Sequence, residues 1–167
     1  SRYRIAVQVD GEVSSFLQNR VAVGDTVDAT LAAGDLVLRP GDNPIVLISS
    51  GIGSTPLTGI LTHLVKHNDP RRVTYVHSDS SEATWAQAQE SRDLVAALND
   101  GSIHPFFRDS GERVDIHEID VAGADVYLCG GTGFLQSLRD DLAALPEDKA
   151  PANVFYELFS PNDWLVS

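Results

Sequence analysis

The sequence predicts an α/β fold: a parallel sheet of about five strands with helices on both faces, preceded by a partial antiparallel β-barrel remnant. Three observations lead there. Residues 45–57, IVLISSGIGSTPL, run from an apolar strand through two glycines into a helix. Residues 125–135, DVYLCGGTGFL, repeat that order. Around them, apolar runs of strand length alternate with segments of helical period.

Taken in order, residues 3–9 (YRIAVQV) alternate as a half-buried strand does, and residues 13–20 (VSSFLQNR) read as a short helix with Ser14 or Ser15 near its start. Turn signals at Val23-Gly24-Asp25 and Ala33-Gly34-Asp35 precede strands expected at 26–31 and 36–38. This is too little for a closed antiparallel barrel and matches the last third of one. Arg39-Pro40-Gly41-Asp42-Asn43-Pro44 reads as a linker, dividing the chain into residues 1–40, a partial barrel, and 41–167. Beyond it come strand 45–50, helix 56–67, strand 73–77, helix 83–98, strand 103–108, strand 125–129, helix 133–145 and strand 154–158. Such an alternation implies parallel strands joined by right-handed crossovers.

Twelve Lys and Arg against 24 Asp and Glu give a net charge of −12, which repels nucleic acid and anionic lipid and leaves neither as an expected partner. No apolar run reaches membrane-spanning length. The single cysteine, Cys129, excludes an intrachain disulfide and points to a reducing compartment, the cytoplasm. The sequence begins at Ser1 and holds no methionine, so it is expected to be a piece of something longer.

The two glycine turns carry the chemistry. Gly51 and Gly53 allow a tight turn and close approach to a ligand, and Pro56 suits the first helical position, where its missing N–H has no intrahelical partner. Unpaired N–H groups and the positive end of the helix then face the space above the sheet, and a phosphate fits there. One G-x-G-x-x-P also occurs in domains that bind nothing. Two such turns at the carboxyl ends of strands in one sheet describe a nucleotide crevice.

Four blocks in order, GEVSSFLQNRVAVGDTVDATLAAGDLVL, IVLISSGIGSTPL, VYLCGGTGFL and VFYELFSP, resemble the reductase module of flavohaemoglobins and their ferredoxin–NADP reductase relatives, over nearly the whole chain. The resemblance implies an antiparallel barrel that binds FAD, followed by a Rossmann-like domain that binds NAD(P)H. Hydride passes from nicotinamide to flavin, and electrons leave singly for a haem, iron–sulfur or protein acceptor. It places Val13, Ser14 and Ser15 near the FAD pyrophosphate, and Gly51, Gly53, Ser54, Thr55 and Pro56 under the NAD(P)H pyrophosphate. Cys129, Gly130 and Gly131 match the family's cysteine-glycine pair beside the nicotinamide, although the family usually has proline where this chain has Gly131. The resemblance further implies that Glu157 helps organise the nicotinamide pocket and that Phe159 lies near the flavin ring, so that Cys129, Glu157 and Phe159 would border the hydride path. Each has a plainer reading: Ser14 as a helix cap, Cys129 as a small buried hydrophobe, Phe159 as core and Glu157 as a solvated edge. The family's Arg-x-Tyr-Ser strand has no counterpart, so most of the barrel is missing and FAD is expected to be weakly held or absent.

Ser78 and Asp79 follow the second strand, where the coenzyme's ribose is read. An acid there accepts from a ribose 2′-OH and repels a 2′-phosphate, so Asp79 favours NADH, unless Asp79 and Ser81 simply cap the next helix. Trp85 stands where these relatives commonly carry a second histidine. His63 and His67 have metal-pair spacing but read as a solvated helix end, and the serines do not form a nucleophile elbow. The alternative to a reductase module is a flavin-free nucleotide-binding or interaction module that pairs exposed barrel strands with another chain, for instance a second copy. A flavodoxin-like reading lacks the VFYELF ending, and a short-chain dehydrogenase needs a Tyr-x-x-x-Lys that is not present.

Overall fold

Helix α1 (Glu12–Arg20) is the only regular element among the described residues of the first of two units, Ser1–Asp35; the second is Leu36–Ser167. The computed structural model describes residues 3–31 and 33–159, so Ser160 and Pro161 of the last motif lie outside the described residues. Ser14 Oγ accepts from the Gly11 N–H at 2.9 Å and the Asp10 N–H at 3.1 Å, closing the start of α1 where intrahelical acceptors are lacking. The strands expected at 3–9, 26–31 and 36–38 do not form. A strand exists through the hydrogen bonds of its neighbour, and the described residues of this unit form no ladder with one another. Tyr3, Ile5 and Leu31 accordingly remain exposed. Leu36 and Leu38 pack instead against the core of the second unit.

That core is a five-stranded parallel sheet. The central strand β1 (Ile45–Ser50) is buried along five of its six residues, and a strand covered on both faces has no polar side to show, hence its unbroken apolar run. β2 (Val73–Asp79) pairs with β1 on one side and β3 (Gly101–Phe107) lies beyond it; β4 (Asp125–Gly130) pairs on the other side, with β5 (Asn153–Leu158) at its edge. The order is β3-β2-β1-β4-β5.

The glycine turn Gly51–Gly53 is itself a 3-10 turn and runs straight into α2 (Ser54–Lys66). Pro56 is therefore the third helical residue rather than the first; its missing N–H still falls among the four that have no intrahelical acceptor. The helix expected over 83–98 is shorter, α3 (Ala88–Ala96), because Trp85 adopts an extended conformation and turns into the core, leaving a separate 3-10 turn at Glu82–Thr84. Leu57, Leu61 and Leu64 of α2 and Val95 of α3 cover one face of the sheet. Leu135, Leu138 and Leu142 of α4 (Thr132–Ala143) cover the other, joined by Ile116, Ile119 and Val121 from the connection between β3 and β4. That connection has only 3-10 turns, at Arg108–Ser110 and Ile116–Glu118, yet its buried apolar residues do the covering of a helix.

The strand order reverses between β1 and β4, which opens a crevice above their carboxyl ends. There the two glycine turns interlock. A Cβ on Gly53 would lie 2.3 Å from the Cys129 carbonyl oxygen, and one on Gly130 would lie 2.9 Å from the Phe134 ring and 3.2 Å from Ser50 Cβ. Gly53→Ala must push backbone away from backbone and is expected to destabilise the fold by about 3 kcal/mol in urea titration. Gly59→Ala, in the open middle of α2, should stabilise it by about 1 kcal/mol. Equal effects of the two changes would show that the interlock is not tight.

Candidate functional site

The carboxyl ends of β2, β1, β4 and β5 bring most of the expected residues of the second unit to one edge of the sheet. Gly51 has φ +54°, a left-handed conformation that glycine adopts without a Cβ penalty, and this turns the chain up from β1. Ser50 pairs with Ser78 across β1 and β2, Cys129 with Glu157 across β4 and β5, and the Phe159 N–H donates to the Gly130 carbonyl at 2.9 Å. Phe155, Glu157 and Phe159 are half-buried while Val154, Tyr156 and Leu158 are exposed, so Glu157 and Phe159 share a face.

Two predicted side chains are already occupied. Ser54 is buried, its Oγ donates to Gln87 Oε1 at 3.0 Å, and its backbone N–H turns back on the Gly51 and Ile52 carbonyls. Thr55 Oγ1 donates to the Ile52 carbonyl at 3.0 Å. In the first unit Val13 is exposed and the Ser14 hydroxyl is engaged in the cap; Ser15 follows one residue further into α1. His63 and His67 stack on each other with ring centroids 4.0 Å apart at the end of α2, and among the described residues no cluster of three or more His, Cys, Asp or Glu could hold a metal.

Beneath the crevice lies a buried polar chain. Ser49 Oγ is 2.8 Å from His77 Nδ1 and 3.2 Å from the Tyr75 hydroxyl, and His77 Nε2 is 3.4 Å from Asp79 Oδ2. Asp79 Oδ1 accepts from the Ser80 N–H at 2.7 Å and from Thr84 Oγ1 at 2.6 Å. The imidazole stacks on Trp85 at 4.4 Å. Burial pushes His77 down from 6.5 to about 4, although Asp79 pulls the other way, and burial pushes Tyr75 up to about 12. Ser49 is fully buried, so the composition of a Ser-His-Asp triad carries no nucleophilic chemistry. Cys129 is equally buried; burial, with Glu157 adding to it, pushes its thiol up to about 12. It stays a neutral thiol within the core at the end of β4.

Sequence reasoning missed a cleft on the opposite, α4-covered face of the sheet. A cleft of about 330 Å³ lies over the ends of β1 and β2, bounded by Ser50, Ser78, Arg108 and Arg113 and, from α4, Gly133 and Phe134. Arg108 directly follows β3, a position that the sequence marks only by the end of an apolar run. A second cleft of about 340 Å³ is lined by residues 116–122 with Leu145 and Lys149, and none of the predicted site residues reaches it.

The chain is 36% identical over 180 residues to a flavohaemoprotein of Vibrio cholerae, covering 99% of this chain and 45% of that protein. It is 29% identical over 175 residues to the flavohaemoprotein of Bacillus subtilis, covering 95% and 43%. Among solved structures, the flavohaem-like FAD/NAD-binding domain of nitric oxide dioxygenase from Vibrio cholerae superposes with a TM-score of 0.82 at 36% identity, over 90% of this chain and 65% of that one. This chain is a relative of the flavohaemoprotein reductase module. The flavohaemoglobin of Malassezia yamatoensis, solved with FAD and haem, superposes with a TM-score of 0.76 at 27% identity, over 93% of this chain and 43% of that one. No family model matches. The chain thus spans less than half the length of these flavohaemoproteins.

Within a flavohaemoprotein-type module, Gly131 departs from the expected proline, yet the turn is not distorted by it. Its φ of −73° is one that proline adopts, and the space around its Cβ position is open. Gly131→Pro should therefore raise the melting temperature, with a gain of about 0.5–1 kcal/mol from the unfolded chain; a loss would mean that the amide of residue 131 is needed. His77 sets a pH dependence. Between pH 6.5 and about 4 the unfolded chain holds a proton on this residue and the folded chain does not. Its contribution to stability is present above pH 6.5 and is lost as the pH falls towards 4, by about 3 kcal/mol. Urea titrations of the native chain and His77→Gln across this range should differ by that slope, and parallel curves would contradict it.

Proposed function

We propose that this chain is the dinucleotide-binding part of a reductase that passes hydride from NAD(P)H to FAD and electrons onward to a haem or iron–sulfur acceptor. The observation that carries the reading is the interlock of Gly53 with the Cys129–Gly130 backbone, which joins the pyrophosphate turn to the expected nicotinamide turn at the point where strand order reverses. The vacant space beside Gly51 lets a pyrophosphate approach the backbone, and the first N–H groups of the turn supply donors. The neutral Cys129 thiol and the Phe159 ring would then give the nicotinamide a dry border, with Glu157 beside them.

FAD is the group that would accept the hydride. The described residues of the first unit do not make a cradle for it: the Ser14 hydroxyl serves its own helix and no strand stands beside α1. Hydride transfer is accordingly assigned to a longer protein, and the residue assignments Val13, Ser14 and Ser15 apply there. For the chain by itself, the exposed Tyr3, Ile5, Val13 and Phe16 favour a second reading, a flavin-free module that self-associates through the first unit. Asp79, at the end of β2, supports NADH as a donor. The free thiol of Cys129 fits a reducing cytoplasm, and no helix among the described residues is long and apolar enough to cross a membrane.

Calorimetric titration of ADP-ribose into the chain tests the reading. One saturable site is expected, weakened about tenfold or more by Gly51→Val, which puts a branched side chain at a left-handed residue under the pyrophosphate. Absence of binding would remove the nucleotide function. In a flavin-carrying longer protein, Phe159→Ala should change the rate at which NADH bleaches the flavin, and an unchanged rate would take Phe159 out of the hydride path.

A further inference from the structure

We infer that this chain forms a two-fold dimer in which the outer edge of β5 pairs antiparallel with β5 of a second copy, joining the two sheets into one. The inference concerns the far edge of the sheet and stands apart from the dinucleotide reading.

The sheet ends in β3 on one side and β5 on the other, and the two edges differ. The Val73 N–H donates to the Asp100 carbonyl, and the alternation of a parallel ladder then turns the N–H and C=O sides of Ile103, Pro105 and Phe107 outward. Pro105 has no N–H to offer. The Phe107 N–H donates to Glu112 Oε2 at 2.8 Å, and its carbonyl accepts from the Glu112 N–H at 3.1 Å. Such devices keep an edge from pairing. β5 has neither. The Asn153 N–H donates to the Ala124 carbonyl and the Phe159 N–H to the Gly130 carbonyl, so the same alternation points Val154, Tyr156 and Leu158 away from β4. Among the described residues no strand lies on that side, and no proline or lysine interrupts NVFYEL. The same three residues carry the exposed apolar side chains of the strand.

A second copy of β5 fits this edge because the strand complements itself. With the two-fold axis perpendicular to the sheet at Tyr156, every outward residue meets an outward residue: Val154 faces Leu158 of the second copy, Tyr156 faces Tyr156, and Leu158 faces Val154. Any shifted register leaves one of them without a partner. On the α4 face these apolar pairs close over a groove of about 310 Å³ lined by Leu135, Gln136, Arg139, Asp140, Tyr156 and Leu158, where the Arg139 guanidinium already lies 4.2 Å from the Tyr156 ring centroid. On the other face the same register sets Glu157 directly across from Phe155 of the second copy. The Arg39 guanidinium lies over the Phe155 ring at 5.5 Å, so each Glu157 carboxylate comes to a cation of the other chain, twice by symmetry. In a chain of net charge −12, acid against acid would oppose self-association, and this register avoids it. Because the paired strands run antiparallel, the two crevices lie at opposite ends of the joined sheet and both stay open.

The test is sedimentation velocity of the 167-residue chain from about 1 to 100 μM, over which the mass should rise from one chain towards two. Tyr156→Lys sets two ammonium groups against each other at the axis and should weaken the dimer about tenfold or more. His104→Lys on β3 and Phe16→Lys in the first unit, both at exposed positions, should leave it within about twofold. Cys129 is buried and is the single cysteine, so Tyr156→Cys supplies one reachable thiol per chain. A hydrogen-bonded antiparallel pair holds its Cα atoms about 5.5 Å apart, within disulfide reach, and diamide should link Tyr156→Cys into a covalent dimer about tenfold faster than His104→Cys. The inference is overturned if the chain stays monomeric across that range, or if the two cysteine variants cross-link at equal rates. It is overturned equally if Phe16→Lys rather than Tyr156→Lys abolishes the dimer, which moves the contact to the first unit. Slow hydrogen exchange of the Val154, Tyr156 and Leu158 amides in a monomeric sample would count against it too, since the chain's own residues would then cover the edge. Should Tyr156→Lys fail to fold, the cysteine pair decides.

Discussion

The contact on which the crevice depends is one of backbone against backbone. The turn after β1 passes so close to the end of β4 that Gly53 has no room for a Cβ beside the Cys129 carbonyl, and Gly130 has little beside Phe134 and Ser50. Two strands far apart in sequence thereby end at one point, and both turns are held at a fixed separation. Side-chain packing could not place them as rigidly, because rotamers yield where peptide planes do not. Every residue expected to meet the dinucleotide is carried on one of these two turns or on the strand ends beside them.

Beneath this contact the sheet admits polar groups only where each finds a partner. Ser49, Tyr75 and His77 interrupt strands that are otherwise apolar, and they satisfy one another across β1 and β2. The arrangement keeps the imidazole neutral and dry. It also ties the β1 turn to the loop that follows β2, through Asp79 and Thr84. A partly satisfied network would be worse than an apolar core, so the individual members are not interchangeable.

The order of strands and helices in the second unit was legible because the hydrophobic period is strong in IVLISS and DVYLCG and because glycines mark both turns. Helix ends were less so. Pro56 suggested a start that the glycine turn preempts, and Trp85 left the helical path to be buried against His77, a tertiary gain that local propensity does not register. The alternation in YRIAVQV misled for a related reason: a strand belongs to its neighbours, and alternation records only a face. In the candidate site, local pattern marked the glycine turns, whereas Cys129 and Glu157 were singled out by the resemblance. No local pattern marks Arg108 and Arg113, which line the cleft through the folding of the loop after β3, and the Ser54 hydroxyl is taken by Gln87, a partner 33 residues away.

The strand order also has a consequence for how the molecule assembles. Ile45 pairs with Val73 on one side and with Asp125 on the other. The first pairing closes a short loop, and the second must wait for a far longer stretch of chain to be drawn in, at a higher entropic cost. The β1–β2–β3 half can thus form while the opposite edge of β1 is still bare. The ligand crevice is then a late product of folding and the first feature to be lost when the sheet opens at its middle.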